Sequence, residues 1–160
     1  MHVKTLAMMS ALLIAGLLYG CSEPQKPRMI DFRQKAYPAE VASVSGISKQ
    51  EEWGRWTDGD RAVIQFKKAL PSAFQLKLQT AWAFGPNQGL PFQISAGGVQ
   101  KEFKVSTQNQ LIVLDFEKVG KTDRLELIIP KPTTPKDLAM SDDTRRLGLG
   151  VVTLAIEPRG

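Results

Sequence analysis

FQLKLQTAWAF, residues 74–84, decides the fold. Phe74, Leu76 and Leu78 alternate with Gln75, Lys77 and Gln79, and the phase runs on through Thr80 to Trp82 and Phe84. A period of two places the apolar set on one face of a strand and the polar set on the other. On this phase Trp82 is a core residue. Similar alternations recur on both sides: Ala62, Ile64 and Phe66 before it, then Phe92 with Ile94, Val99 with Phe103 and Val105, Ile112 with Leu114 and Phe116, Leu125 with Leu127 and Ile129, and Val152 with Leu154 and Ile156. Turn chemistry separates them: Leu70-Pro71, GPNQG at 85–89, Gly97-Gly98, Asn109 and Gly120. No longer window carries a helical period. The expected fold is all-β, an antiparallel β-sandwich or jelly roll of about eight strands.

Outside this block the chain changes character. Lys4 and the uncharged apolar run Leu6–Leu18 have the form of a secretory signal and are too short to span a bilayer comfortably. LYGC, ending at Cys21, resembles the bacterial lipobox, with Tyr19 a departure from the small or β-branched residue usual there. That resemblance implies cleavage before Cys21, thioether attachment of diacylglycerol and acylation of the new N-terminus. Ser22 in place of Asp implies the outer membrane by the usual sorting rule. An ordinary secretory signal or a retained membrane anchor is the alternative. Each buried methylene contributes about 0.8 kcal/mol, so several chains hold where one does not. Residues 1–20 are read as the signal, 21–40 as lipidated cysteine and tether, and 41–160 as the β domain, although RMIDFR (28–33) could add an edge strand.

Composition removes several chemistries. The single histidine is His2 and the single cysteine is Cys21, both at the N-terminus. The mature chain then lacks Ser–His and Cys–His catalysis, His or Cys zinc sites and disulfides. The net charge of +5 falls to +4 when Lys4 leaves with the signal, and it is scattered, so nucleic acid is not expected as a partner. No cofactor or metal is expected.

Two constellations remain. EEWGRWTDGD (51–60) carries Trp53 and Trp56 around Gly54 and Arg55. Indole planes stack on the apolar C–H faces of sugars, while Arg55, Asp58 and Asp60 are able to hydrogen-bond hydroxyls. The plainer reading is a pair of core plugs followed by a turn. Residues three apart in an extended chain point to opposite faces, so one Trp inside and one outside is plausible. PKPTTPKDLAMSDDTRRLG (130–148) is a long segment between strands, of the kind that is often functional. Ser141 could cap a helical turn there. Asp142, Asp143, Arg145 and Arg146 read either as a salt-bridged clasp or as a polar site for a glycan or phosphate group. Asp142 and Asp143 raise calcium as an idea, but two adjacent carboxylates do not set a ligand count. Asn87 is a turn residue first and a hydroxyl-binding candidate second. Glu51 or Glu52 with Asp142 or Asp143 meets the need of a glycoside hydrolase in number only.

EEWGRW, AFGPN (83–87) and TTPKDLAMSDDTRRLGLGVVTLAI (133–156) together resemble the C-terminal domain of bacterial phosphoglycerol transferases, and small enterobacterial lipoproteins carry similar blocks. The resemblance spans about residues 41–157. It implies the accessory β domain of those membrane enzymes, whose metal-dependent chemistry sits in a separate sulfatase-like domain. The expectation is therefore an outer-membrane lipoprotein facing the periplasm, non-catalytic, with an envelope glycan as ligand. The alternative is a structural module docking an envelope protein, and a lipid-anchored hydrolase is the third reading.

Overall fold

The computed structural model describes residues 25–159, so the signal and Cys21 lie outside the described residues. Ten strands form two five-stranded antiparallel sheets. They are β1 (Arg28–Asp31), β2 (Val41–Ser45), β3 (Arg55–Asp58), β4 (Arg61–Phe66), β5 (Phe74–Ala83), β6 (Pro91–Ala96), β7 (Val99–Lys104), β8 (Leu111–Phe116), β9 (Arg124–Ile128) and β10 (Leu147–Pro158). Strands β3 to β10 follow jelly-roll order: β3-β10-β5-β8 faces β4-β9-β6-β7. The two additional strands lengthen the sheets, β2 beside β4 and β1 along the C-terminal half of β10. Among the described residues a 3-10 turn at Gly85–Asn87 is the one helical element, and no helix is long and apolar enough to cross a membrane.

The alternation builds the core directly. Ile30, Leu154, Leu78 and Ile112 lie side by side across four strands of one sheet, and all are buried. Opposite them Ile94, Leu127 and Ala62 form a matching row. Phe74 stacks on Phe116 at 4.8 Å, and Phe92 on Phe103 at 5.5 Å. A void of about 20 Å³ near Ile64, Leu78 and Leu125 is room for about one water, so the space between the sheets holds no ligand.

The boundary at residue 41 needs correction. Ile30 and Phe32 are at most 1% exposed and belong to the main core, so the packed domain begins at Arg28. RMIDFR, read chiefly as tether because of its charge and the prolines around it, forms the edge strand that is its other reading, with Met29 and Asp31 outward. Strand β3 gives no such signal, because a four-residue strand with two adjacent buried bulky residues shows no alternation.

Ile30→Ala is expected to destabilise the full chain by about 2–5 kcal/mol, the usual cost of emptying a core site. Met29→Ala, at a side chain 57% exposed, should stay within about 0.5 kcal/mol. Urea denaturation of the two variants checks this; indistinguishable midpoints would return β1 to the tether.

Candidate functional site

The candidate site lies on the outer face of the β10–β5 sheet, away from the main core. Its cause is a pair of register shifts. Between Leu149↔Ala83 and Val151↔Thr80 the extra residue is on β5; between Val151↔Thr80 and Thr153↔Gln79 it is on β10. Such bulges re-aim side chains. The alternation of 74–84 therefore stops at Thr80, with Thr80 and Ala81 both buried, and Trp82 leaves the core phase that its spacing predicts. It is partly buried and belongs to a second cluster with Trp53, Trp56, Phe84 and Leu147.

Gly150 shows which face this is. Its neighbours Leu149 and Val151 enter the main core, so its own side faces out. A Cβ there would lie 3.1 Å from the Trp53 ring and 3.3 Å from the Ala81 Cβ. Trp56 pairs directly with Gly150 and shares that face. Three indoles thus pack together: Trp53–Trp56 at 5.2 Å, Trp53–Trp82 at 4.8 Å and Trp56–Trp82 at 4.9 Å between ring centroids. Trp56 is 5% exposed and also meets Phe84 edge-on, whereas Trp53 and Trp82 keep part of their surface open. The two tryptophans of EEWGRW do not project to opposite faces. A tight turn, Glu51 N–H to Gly54 O and Gly54 N–H to Glu51 O, folds Trp53 back over Trp56. Gly54 has φ +151, and a side chain there would strike the Val151 carbonyl.

EEWGRW and DDTRR meet. Trp53 Nε1 donates to Glu51 Oε2 at 3.0 Å, and Arg145 donates to Glu51 Oε1 at 3.0 Å and to Ser48 Oγ at 3.3 Å. The same guanidinium holds Asp143 Oδ2 through Nε and a terminal nitrogen, at 3.0 and 2.7 Å. Arg146 N–H donates to Asp58 Oδ1, and its carbonyl accepts from Gly59 N–H. This is the clasp reading of Asp143 and Arg145, made between residues two apart in an extended segment and not across a helical turn. The turn in the long segment lies at 135–140, and Ser141 Oγ accepts from Asp143 N–H without starting a helix. The Asp142 and Arg146 side chains are exposed beside the clasp. The Arg145 side chain, by its hydrogen bonds, holds the Asp143 carboxyl below the usual carboxylate range, and Asp143 in turn raises Arg145.

Three candidate ligand residues take the plainer, structural role. Arg55 is 7% exposed and spends its donors on the carbonyls of Phe32, Gln34, Lys35 and Ser48, with its guanidinium 4.8 Å from the Tyr37 ring centroid. Only a residue with so many donors satisfies a loop of carbonyls that no strand pairs. Asn87 is fully buried; its amide donates to Phe84 O and Lys131 O and accepts from Lys131 N–H, pinning the start of the long segment. Trp56 supports the cluster from below. Among the described residues no group of three or more His, Cys, Asp or Glu is placed to hold a metal ion.

Beyond Trp82 the aromatic surface opens into a cleft of about 140 Å³ lined by Trp82, Ala83, Gln88, Val105, Ser106, Thr107 and Gln108. The four polar residues fall in turns between strands, and nothing in their sequence pattern sets them apart from ordinary turn residues.

A family profile described as a domain of unknown function, DUF7024, matches residues 22–158. Phosphoglycerol transferase I of Escherichia coli O157:H7 is 31% identical over 132 residues, 80% of this chain and 17% of that protein. The same protein of Shigella boydii serotype 18 matches with the same figures. The chain thus spans 17% of the length of the curated relatives it matches. Two solved structures share the outline of the fold. One is the C-terminal CBM6 of LamC, a marine laminarinase from Zobellia galactanivorans, with 12% identity, TM-score 0.49, and 82% of this chain and 99% of that one covered. The other is the CBM36-1 domain of a multidomain xylanase from the hindgut metagenome of Trinervitermes trinervoides, with 10% identity, TM-score 0.44, and 84% and 99% covered. Likeness at these scores carries no weight for function.

The clasp has a pH signature. Because Asp143 is lowered in the folded chain, the unfolded chain takes up the proton first. The stabilisation is present above the ordinary aspartate value of about 3.9 and is lost as pH falls through the lowered folded value. Asp143→Asn should be less stable than wild type near neutrality, with the difference shrinking below about pH 4. Urea midpoints across that range test it, and a difference independent of pH would contradict the ion pair.

Proposed function

The chain belongs to the DUF7024 family, and from that premise we propose that it is a non-catalytic glycan-binding accessory domain of the bacterial envelope, anchored to the outer membrane through lipidated Cys21 and facing the periplasm. One observation carries the glycan reading. Trp53 and Trp82 present partly open indole planes 4.8 Å apart, backed by the buried Trp56. Aromatic side chains with few torsions lose little entropy on binding, and packing from below removes most of that. Glu51, Asp143 and Arg145 supply a polar rim at the Trp53 end. The transferase chemistry of the longer relatives is not carried over, since this chain corresponds to 17% of their length.

A second reading, docking of an envelope protein, has its own observation. Leu138 and Met140 stand 40% and 66% exposed at the turn of the long segment, and Leu138 adjoins Gly85 next to the cluster. Exposed apolar side chains of this kind suit a protein contact as well as a ligand rim.

The full-length protein, purified in detergent and applied to an array of neutral and acidic glycans, should bind a subset. Trp53→Ala and Trp82→Ala should each weaken that binding by about tenfold or more, which corresponds to about 1.4 kcal/mol. Thermal melts confirm that the variants are folded. A folded wild type that binds no glycan refutes the reading and leaves protein docking. Separately, Cys21→Ala should move the protein out of the membrane fraction; its retention there would refute lipid anchoring.

A further inference from the structure

The cleft beside Trp82 has properties that the aromatic pair alone does not. Its floor is one edge of the indole platform. Its walls come from two turns, 85–90 and 105–110, and both are held from behind. Gly89 N–H donates to Val105 O at 3.0 Å, which ties one turn to the other. Asn109, with φ +54, donates its N–H to Ala81 O at 2.7 Å, next to Trp82. The Gln110 side chain braces its own turn, accepting from Ser106 N–H at 3.1 Å and donating to Lys104 O at 3.2 Å. The Gln110 carbonyl accepts from both Thr80 N–H and Thr80 Oγ1. The turn is thereby fixed to β5 immediately before the bulge that turns Trp82 outward.

What these braces present is uncharged. Gln88, Ser106, Thr107 and Gln108 are exposed, and no lining residue carries a charge. Amides and hydroxyls both donate and accept, which matches the hydroxyl groups of a sugar ring. A phosphate or carboxylate would find no cation there. The charged groups of the wider site, Glu51, Asp143 and Arg145, lie at the Trp53 end, where one guanidinium is shared by two carboxylates and that cation is not left for an anionic ligand. At about 140 Å³ the cleft is smaller than the roughly 300–1,000 Å³ of pockets that enclose a whole ligand. It suits one ring at the end of a chain.

Building on the glycan reading, we propose that this cleft is the ring-binding subsite and that it takes an uncharged terminal sugar unit, with the adjoining units running over Trp82 towards Trp53. Specificity then resides in Gln88, Thr107 and Gln108, and stacking energy in the tryptophans.

The test uses the full-length protein in detergent with two probe pools: neutral gluco-, manno- and xylo-oligosaccharides, and oligogalacturonates of similar length. Titration calorimetry is expected to show binding of a neutral oligosaccharide in preference to the acidic pool. The double variant Gln88→Ala/Gln108→Ala, at exposed positions that do not disturb the core, should weaken that binding by about tenfold or more. Arg146→Gln, at an exposed position outside the cleft, should leave it unchanged. If Trp82→Ala abolishes binding while the double glutamine variant binds like wild type, or if the acidic pool is preferred, the cleft proposal is overturned and the platform stands. If the wild type binds neither pool, both fall.

Discussion

The structure depends on the paired bulges where β5 runs against β10. Without them Trp82 would keep the phase of Leu76 and Leu78 and enter the sandwich core, away from Trp53 and Trp56 over Gly150. With them, the strand pair crosses from one phase to the other between Thr80 and Ala83. Small residues, Ala81 and Gly150, then line the outer face at that point, while Ala83, opposite Leu149, returns to the core side. A sheet surface built from small residues is shallow, and the Trp53 indole packs on it with ring atoms 3.1 Å from where a Gly150 side chain would stand. The second cluster is thus a consequence of where the register breaks. The same break brings Trp82 beside the turn that Asn109 and Gln110 tie to β5.

The clasp around Arg145 works with this surface more than it stabilises the fold. The Arg145, Glu51 and Asp143 side chains are each about 27–31% exposed, and solvent screens pairs of that kind. Their contribution to stability is small. Their geometry is specific, because one planar guanidinium fixes Glu51, and Glu51 fixes the indole N–H of Trp53. The long segment 130–146 is held at the other side by Asn87 and by the Arg146–Asp58–Gly59 backbone contacts. Two far-separated blocks of sequence are joined because one of them orients the ring that the other carries.

Much of the sandwich was legible in the sequence, because strands such as 62–66, 74–79, 92–96 and 124–128 bury alternate residues without interruption. The elements without a clear signal are those where alternation fails: β2, with one buried residue, and β3, with three in a row; β1 was legible only as a possible edge strand, because Ile30 and the following Phe32 sit among charges. The site was legible in part. EEWGRW and DDTRR do come together, but Arg55, Asn87 and Trp56 turn inward, since a polar side chain that satisfies buried backbone looks in sequence like one that awaits a ligand. Trp82 escaped for the opposite reason. Its spacing is that of a core residue, and a bulge is a property of two paired strands, which a single stretch of sequence does not display. The polar cleft residues carry no periodic signal at all.

The contrast among aromatic residues bears on what the surface is for. The chain has seven phenylalanines, and all of them are buried: Phe32, Phe66, Phe74, Phe84, Phe92, Phe103 and Phe116. It has three tryptophans, and two of them keep part of the ring open while the third is spent as their support. A fold with no disulfide between described residues stands on packing, and this one packs its phenylalanines almost completely. Leaving two of its largest apolar rings incompletely covered forfeits burial that the hydrophobic effect rewards at about 25 cal/mol per Å². The forfeit falls at one place, beside a braced polar cleft and under an arginine clasp that holds one of the rings in position. Simple capping of a sheet would need neither the brace nor the clasp, whereas holding a ring-shaped ligand against fixed planes makes use of both.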